Sequence, residues 1–221
     1  MPIARTAHKH PPAPSRQQVR TEATQSKLLA AAEHIFARDG FEAARLEDIA
    51  AAAGYTRGAL YAHFEDKEDI FFALQELWVA ERIGEVATLL EEYAMPAERL
   101  RALREQYSER GKNRRLALLS TEFKLFALRH PKAHARLRAR QRKLCKSGGD
   151  LLRKIVSDLG LSTAAPEEAS TTALGAVAHA LLLEHLVDSQ VMPEESLRRL
   201  LAIIFDAVIA DGSGKRRLSS Q

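Results

Sequence analysis

An all-α fold is what this 221-residue sequence predicts: a three-helix, helix-turn-helix headpiece at the N-terminus, then a larger helical domain, about nine helices in all. Three observations carry that expectation. From Leu28 almost to the C-terminus, apolar residues recur at three- and four-residue spacing. Gly40, Gly54, Pro96, Gly111, Pro131, Gly160, Pro166 and Pro193 fall at the ends of those stretches. No run alternates with a period of two, so no strand is predicted. Apolar residues make up 46% and charged residues 28%, ordinary globular usage, and a chain of this length has ample material for a core.

Pro11, Pro12 and Pro14 keep the start of the chain from being helical, so residues 1–20 read as a flexible basic arm. Leu28, Leu29, Ala32, Ile35 and Phe36 form the apolar stripe of a first helix, capped by Thr21 or Thr24 and ended by Gly40. Leu46, Ile49, Ala50 and Ala53 give a short second stripe that stops at Gly54. Thr56 takes the N-cap position of a third helix, whose Leu60 and Phe64 face the same core as that second stripe. Asp66 caps a fourth helix with Glu68 and Asp69 in its first turn, and Pro96 breaks it near Tyr93. Further helices are expected at 97–109, 113–129, 132–159, 167–187 and 194–210. Gly111, Pro131, Gly160 with Pro166, and Pro193 punctuate them, and Gly148-Gly149 marks a kink or split in the 132–159 stretch. The domain boundaries that follow are 1–20 for the arm, 21–67 for the headpiece, 68–212 for the larger domain and 213–221 for a polar tail.

Several classes are set aside by composition. The longest nearly apolar stretch, Ala173 to Leu183, is too short to span a bilayer, so no membrane partner is expected. The first residues carry charge and no apolar run, unlike a secretory signal. A lone Cys145 forms no internal disulfide or cysteine-based zinc site and suits a reducing cytoplasm. No Glu-x-x-His or His-Glu-x-x-His pair and no glycine-rich phosphate loop occurs, so no catalytic residue, metal or cofactor is assigned and the chain is not expected to be an enzyme. Net charge is only +4 but unevenly spread: residues 68–98 hold 1 basic and 8 acidic side chains, and residues 99–154 hold 18 and 4.

Three short helices between Thr24 and Phe64, turning at Gly40 and Gly54, describe a helix-turn-helix unit, whose second helix presents its N-terminal residues to base edges in the major groove. Arg57 is suited to a bidentate contact with guanine, and Gly58 allows close approach of the backbone. Tyr61 and His63 flank the buried Leu60 and Phe64 and so point outward toward phosphates. Lys67 adds its own charge to a helix N-terminus.

The ordered set Leu28-Leu29-Ala30-Ala31-Ala32-Glu33-His34-Ile35-Phe36, Gly40-Phe41, Leu46-Glu47-Asp48-Ile49-Ala50, Ala53-Gly54, Arg57 to Phe64 and Lys67-Glu68 resembles the DNA-binding domain of the TetR/AcrR family over roughly 50 residues. The resemblance implies a homodimeric transcriptional regulator, usually a repressor released from a double-stranded operator by a small molecule. Thr56, Arg57, Gly58, Tyr61, His63 and Lys67 match the family's DNA-contact positions. Where the family has Ser or Thr capping the second helix, this chain has Ala44 and Arg45; a direct phosphate contact from Arg45 is one replacement for the missing cap. The resemblance also implies that the last two helices of each subunit form a four-helix bundle. Leu174, Val177, Leu181, Leu182, Leu197, Leu201, Ile204 and Val208 lie on their apolar faces, the alternative being burial inside one subunit.

The middle helices are expected to enclose a cavity for a small apolar or amphipathic effector, with Trp78, Tyr93, Tyr107, Phe123, Phe126 and His179 as candidate walls. Aromatics at helical spacing are more often plain core, and a histidine on an apolar helix is more often a satisfied core group. The basic excess of residues 99–154 suits an anionic effector, a solvated surface or pairing with the acidic helix before it. The competing function is an architectural or constitutive DNA-binding protein with no effector. Such a protein has no use for the long helical region beyond the headpiece.

Overall fold

A computed structural model describes residues 15–109 and 114–211. Nine helices occur among the described residues: α1 (Arg16–Ala43), α2 (Leu46–Ala52), α3 (Arg57–Tyr61), α4 (Lys67–Glu92), α5 (Pro96–Ser108), α6 (Arg114–Arg129), α7 (Pro131–Asp158), α8 (Glu167–Val187) and α9 (Glu194–Val208). Most of the expected arm and the 213–221 tail lie outside the described residues, as does Gly111.

The chain divides into two compact units, one reaching to Ile35 and resuming over Ala44–Leu74, the other containing Phe36–Ala43 and everything from Gln75 onward. The first is built on Leu28, Ala32, Ile35, Ile49, Leu60, Phe64, Ile70 and Phe71, all buried. In the second, Leu103, Tyr107, Ile155, Val156, Leu174, Ala178, Leu197, Leu201 and Phe205 make one core. Phe41 belongs to this second unit, its ring 4.8 Å from Phe123 and 5.1 Å from Phe126. The Phe41 N–H donates to a Glu122 carboxylate oxygen at 2.6 Å. Gly40, at φ +78, turns the chain out of the helix just before it.

Four expectations need correction. First, the helical chain begins at Arg16 rather than after residue 20, because Ser15 and Gln18 form a reciprocal capping box. The Ser15 N–H donates to Gln18 Oε1 at 2.7 Å and the Gln18 N–H to Ser15 Oγ at 3.2 Å. Thr21 and Thr24 therefore lie inside the helix, and the Thr24 hydroxyl donates to the Arg20 carbonyl.

Second, a short antiparallel ladder does occur: β1 (Leu161–Thr163) pairs with β2 (Ile209–Asp211), Thr163 opposite Ile209. It ends the last helix at Val208 and satisfies backbone groups that a further helical turn would otherwise have used. Third, Gly148-Gly149 neither kinks nor splits α7, which runs unbroken. A Cβ on Gly149 would lie 2.9 Å from the Glu168 nitrogen and one on Gly148 2.7 Å from Thr171 Cγ2, so both glycines let α8 approach closely. Fourth, α8 is, among the described residues, one helix long and apolar enough by composition to cross a membrane. Its Leu174, Ala178 and Leu182 are nevertheless buried, and the Tyr107 hydroxyl donates to the Leu174 carbonyl at 2.8 Å.

Candidate nucleic-acid interface

The α2–α3 pair owes its angle to backbone chemistry. Gly54, at φ +75, ends α2 with the Tyr55 N–H on the Ala50 carbonyl and the Gly54 N–H on the Ala51 carbonyl. That double bond is a Schellman closure, which needs a left-handed residue where Gly54 stands. Thr56 then begins α3, its Oγ1 accepting the Ala59 N–H at 3.2 Å. With Leu60 and Phe64 buried, the opposite side of this short helix is forced outward, and Thr56, Arg57, Gly58 and Tyr61 are exposed while His63 is half-buried.

Arg57 is held in place on that surface. Its Nη1 lies 3.0 Å from Glu47 Oε1, its Nη2 donates to the Tyr61 hydroxyl at 3.4 Å, and its guanidinium sits 5.3 Å from the Tyr61 ring centroid. The Tyr61 hydrogen bond, with Glu47 behind it, raises the guanidinium pKa further above its ordinary value. Gly58 is different in kind. Its φ is not positive, and a Cβ there would meet only Thr56 Oγ1, at 3.9 Å. Nothing inside the fold therefore requires a glycine at this exposed position.

Of the two flanking cations, Arg45 stays exposed and Lys67 is engaged within the headpiece. Arg45 is the α2 N-cap residue but makes no capping hydrogen bond with its side chain, lying 4.0 Å from Glu47. Glu47 and Asp48 in the first turn complement the helix dipole instead. The Lys67 ammonium donates to the Ala44 carbonyl at 3.1 Å, so it ties the α1–α2 turn to the start of α4 rather than standing clear of the surface.

In the second unit the expected walls are scattered. Tyr107 and Phe123 are buried core, Phe126 stacks on His130 with ring centroids 4.1 Å apart, and Trp78 is half-buried. His179 donates Nε2–H to Thr121 Oγ1 at 2.8 Å, because the Thr121 hydroxyl proton is already given to the Ala117 carbonyl. Burial, with Lys124 adding to it, lowers the His179 pKa. Tyr93 borders a shallow depression with Glu98, Arg101 and Glu105. The more apolar cavity, about 290 Å³, lies elsewhere, between Ile83, Val86 and Leu90 of α4 and Leu151, Ile155 and Leu159 beside α7. The sequence carries its signal as apolar residues at helical spacing on both helices, with no aromatic side chain to mark it.

The eight residues expected on the apolar faces of the last two helices differ in burial within the protomer. Leu174, Leu182, Leu197 and Leu201 are buried within the protomer, and Val177, Leu181, Ile204 and Val208 are half-buried. The faces left exposed carry Ala173, Ala176, Ala180 and Val187 on α8, and Leu200, Ile203 and Ala207 on α9.

The family model for bacterial regulatory proteins of the tetR family matches residues 28–74. The chain is 52% identical over 48 residues to the HTH-type transcriptional repressor BepR of Brucella suis, which is 22% of this chain and 23% of that protein. It is 40% identical over 82 residues to the HTH-type transcriptional regulator AcrR of Shigella flexneri, 37% of each. These matches thus span 23% and 37% of the two curated relatives' length. Over most of the chain the fold is similar to a transcriptional regulator from Rhodococcus sp. Rha1, at TM-score 0.61, 25% identity, 82% of this chain and 93% of that one. It is also similar to SmeT, the repressor of the Stenotrophomonas maltophilia multidrug efflux pump SmeDEF, at TM-score 0.57, 27% identity, 87% and 93%. In sequence the likeness to the tetR-family DNA-binding domain is thus carried by residues 28–74 and the stretch around them, while these solved transcriptional regulators share the fold over most of the chain.

Proposed function

We propose that the protein is a sequence-specific DNA-binding transcriptional regulator that binds a palindromic operator as a homodimer and, as a repressor, is released by a small apolar or amphipathic effector. The observation that carries the DNA reading is the first turn of α3. Capped Thr56, outward Arg57 and a Gly58 that the fold does not need stand together on an exposed surface. A glycine with free space around its missing Cβ is accounted for by a surface approaching from outside, such as a groove edge. Arg57 exchanges Glu47 and Tyr61 for a base edge, so its pairing in the free protein pre-orients it and prevents it from collapsing onto phosphates. The exposed apolar faces of α8 and α9 support a second copy as the partner, since two pairs of such helices bury each other in a four-helix bundle. The cavity lined by Ile83, Val86, Leu90, Leu151, Ile155 and Leu159, with Glu91, Arg99, Lys154 and Asp158 among its lining, supports an amphipathic effector. BepR and SmeT are named as repressors, which favours that sign of regulation.

Selection of bound sequences from random duplexes, followed by binding isotherms, tests the reading. Arg57→Ala should weaken the selected operator by about 1–3 kcal/mol and relax preference at one base pair per half-site. An equal loss on operator and random DNA would sink the assignment of Arg57 to base readout. Effector and operator must weaken each other by the same factor, so a ligand that binds without changing operator affinity is not the effector.

A further inference from the structure

The charge of this protein is concentrated on two neighbouring helices. Between Arg114 and Gly149 the sequence places eleven Lys or Arg side chains against one acid, Glu122, although the whole chain carries only +4. Some of this charge is used internally: Arg140 pairs with Glu76, and Arg136 is also engaged. Lys132, Arg138, Arg142, Lys143 and Lys146 are not. All five are exposed on α7, and none has a hydrogen bond or ion pair among the described residues. Arg138, Arg142 and Lys146 stand at i, i+4 and i+8, a single row of like charges that destabilises an isolated helix. Lys132 lies in the first turn, where the helix dipole also opposes a cation. A surface arranged at this cost is stabilised when an anion lies along it.

The row has the dimensions of a polyanion rather than of a small ion. From Lys132 to Lys146 a helix advances about 21 Å, and duplex DNA carries a phosphate charge for roughly every 1.7 Å of its axis. The cavity that reaches α7 includes none of these five cations and is lined farther along the helix, from Leu151 onward. A membrane surface fits less well. Binding there needs large apolar side chains beside the cations, and no residue of α7 is among the exposed large hydrophobics. Between the cations the exposed positions are Ala135, Ala139 and Gln141.

We infer that the outer face of α7 is a second, sequence-blind contact for the phosphate backbone of duplex DNA, formed by Lys132, Arg138, Arg142, Lys143 and Lys146. This inference rests on the reading above that the protein works on duplex DNA, but it concerns a different surface and a different energy term. The α3 surface supplies base preference, and α7 supplies counterion release.

The test compares the full chain with R138Q/R142Q/K143Q/K146Q, using anisotropy on the selected operator and on a random duplex at salt concentrations from about 50 to 200 mM. The quadruple variant should keep its order of preference among operator variants. It should lose about 0.9 units of salt slope for each phosphate contact removed, or about 3–4 per protomer, so that over this salt range the wild type loses roughly a hundredfold more affinity than the variant for each bound protomer, and about the square of that as a dimer. An unchanged salt slope overturns the inference. So does a variant that keeps its DNA slope but no longer floats with phosphatidylcholine–phosphatidylglycerol vesicles that carry the wild type, since that assigns the face to lipid. Failure of the earlier reading looks different: no duplex is enriched and Arg57→Ala is silent, while the variant still loses its slope on random DNA.

Discussion

Adding one methyl group at each of two helical glycines should shift stability in opposite directions. At Gly149, buried in α7, a Cβ would meet Glu168 Cγ at 2.8 Å, its nitrogen at 2.9 Å and its Cα at 3.1 Å. Two of those atoms are backbone in the first turn of α8, so relief requires the helices to separate. Overpacking of that kind costs about 1–3 kcal/mol, against a gain of about 0.5–1 kcal/mol for replacing glycine by alanine inside a helix. Gly149→Ala should therefore be less stable than wild type by about 1–2 kcal/mol, lowering the melting temperature by about 2–8 °C at this chain length. At Gly84, exposed in α4, a Cβ meets nothing within 4 Å, so Gly84→Ala keeps only the gain and should melt about 1–4 °C higher. Thermal and urea unfolding at one fixed protein concentration reads both, which removes any contribution from association. If Gly149→Ala equals or exceeds the wild type, the close approach of α7 and α8 does not explain these glycines.

Ile203→Glu on the exposed face of α9 should yield folded monomers by sedimentation with operator affinity lost, whereas Leu201→Glu, fully buried one face away, should fail to fold. Thr56→Ala removes the acceptor for the Ala59 N–H and should cost the headpiece about 1 kcal/mol, visible as faster amide exchange in α3. The His179 pKa is lowered in the folded protein, so the unfolded chain binds a proton more readily. Its contribution to stability is complete above 6.5, histidine's ordinary value, and is lost as the pH falls below it. Urea unfolding from neutral pH to pH 5 should show a shallower acid limb in His179→Gln, and an equally steep one would mean that other groups set it.

How much was legible in the sequence depended on whether a signal was local. Helix positions followed from apolar spacing and from Gly and Pro, and the exposed face of α3 followed from Thr56, Leu60 and Phe64, because in a five-residue helix the buried side chains fix where Arg57 and Tyr61 must point. Ser15 and Gln18 were equally local, but the prolines before them masked the capping box. What the tertiary structure decided were choices among equivalents. On α9, Leu197 and Leu201 alternate with Leu200 and Ile203, two apolar faces of one helix, and periodicity cannot say which one the protomer buries in its own core. Gly148 and Gly149 read the same whether they bend a helix or admit a neighbour, until α8 is seen against them. Lys67 could have pointed outward or toward the Ala44 carbonyl, which lies 23 residues away in the chain. Each of these is settled by packing between segments distant in sequence, whereas hydrophobic spacing and capping record only the forces acting within a few turns of one helix.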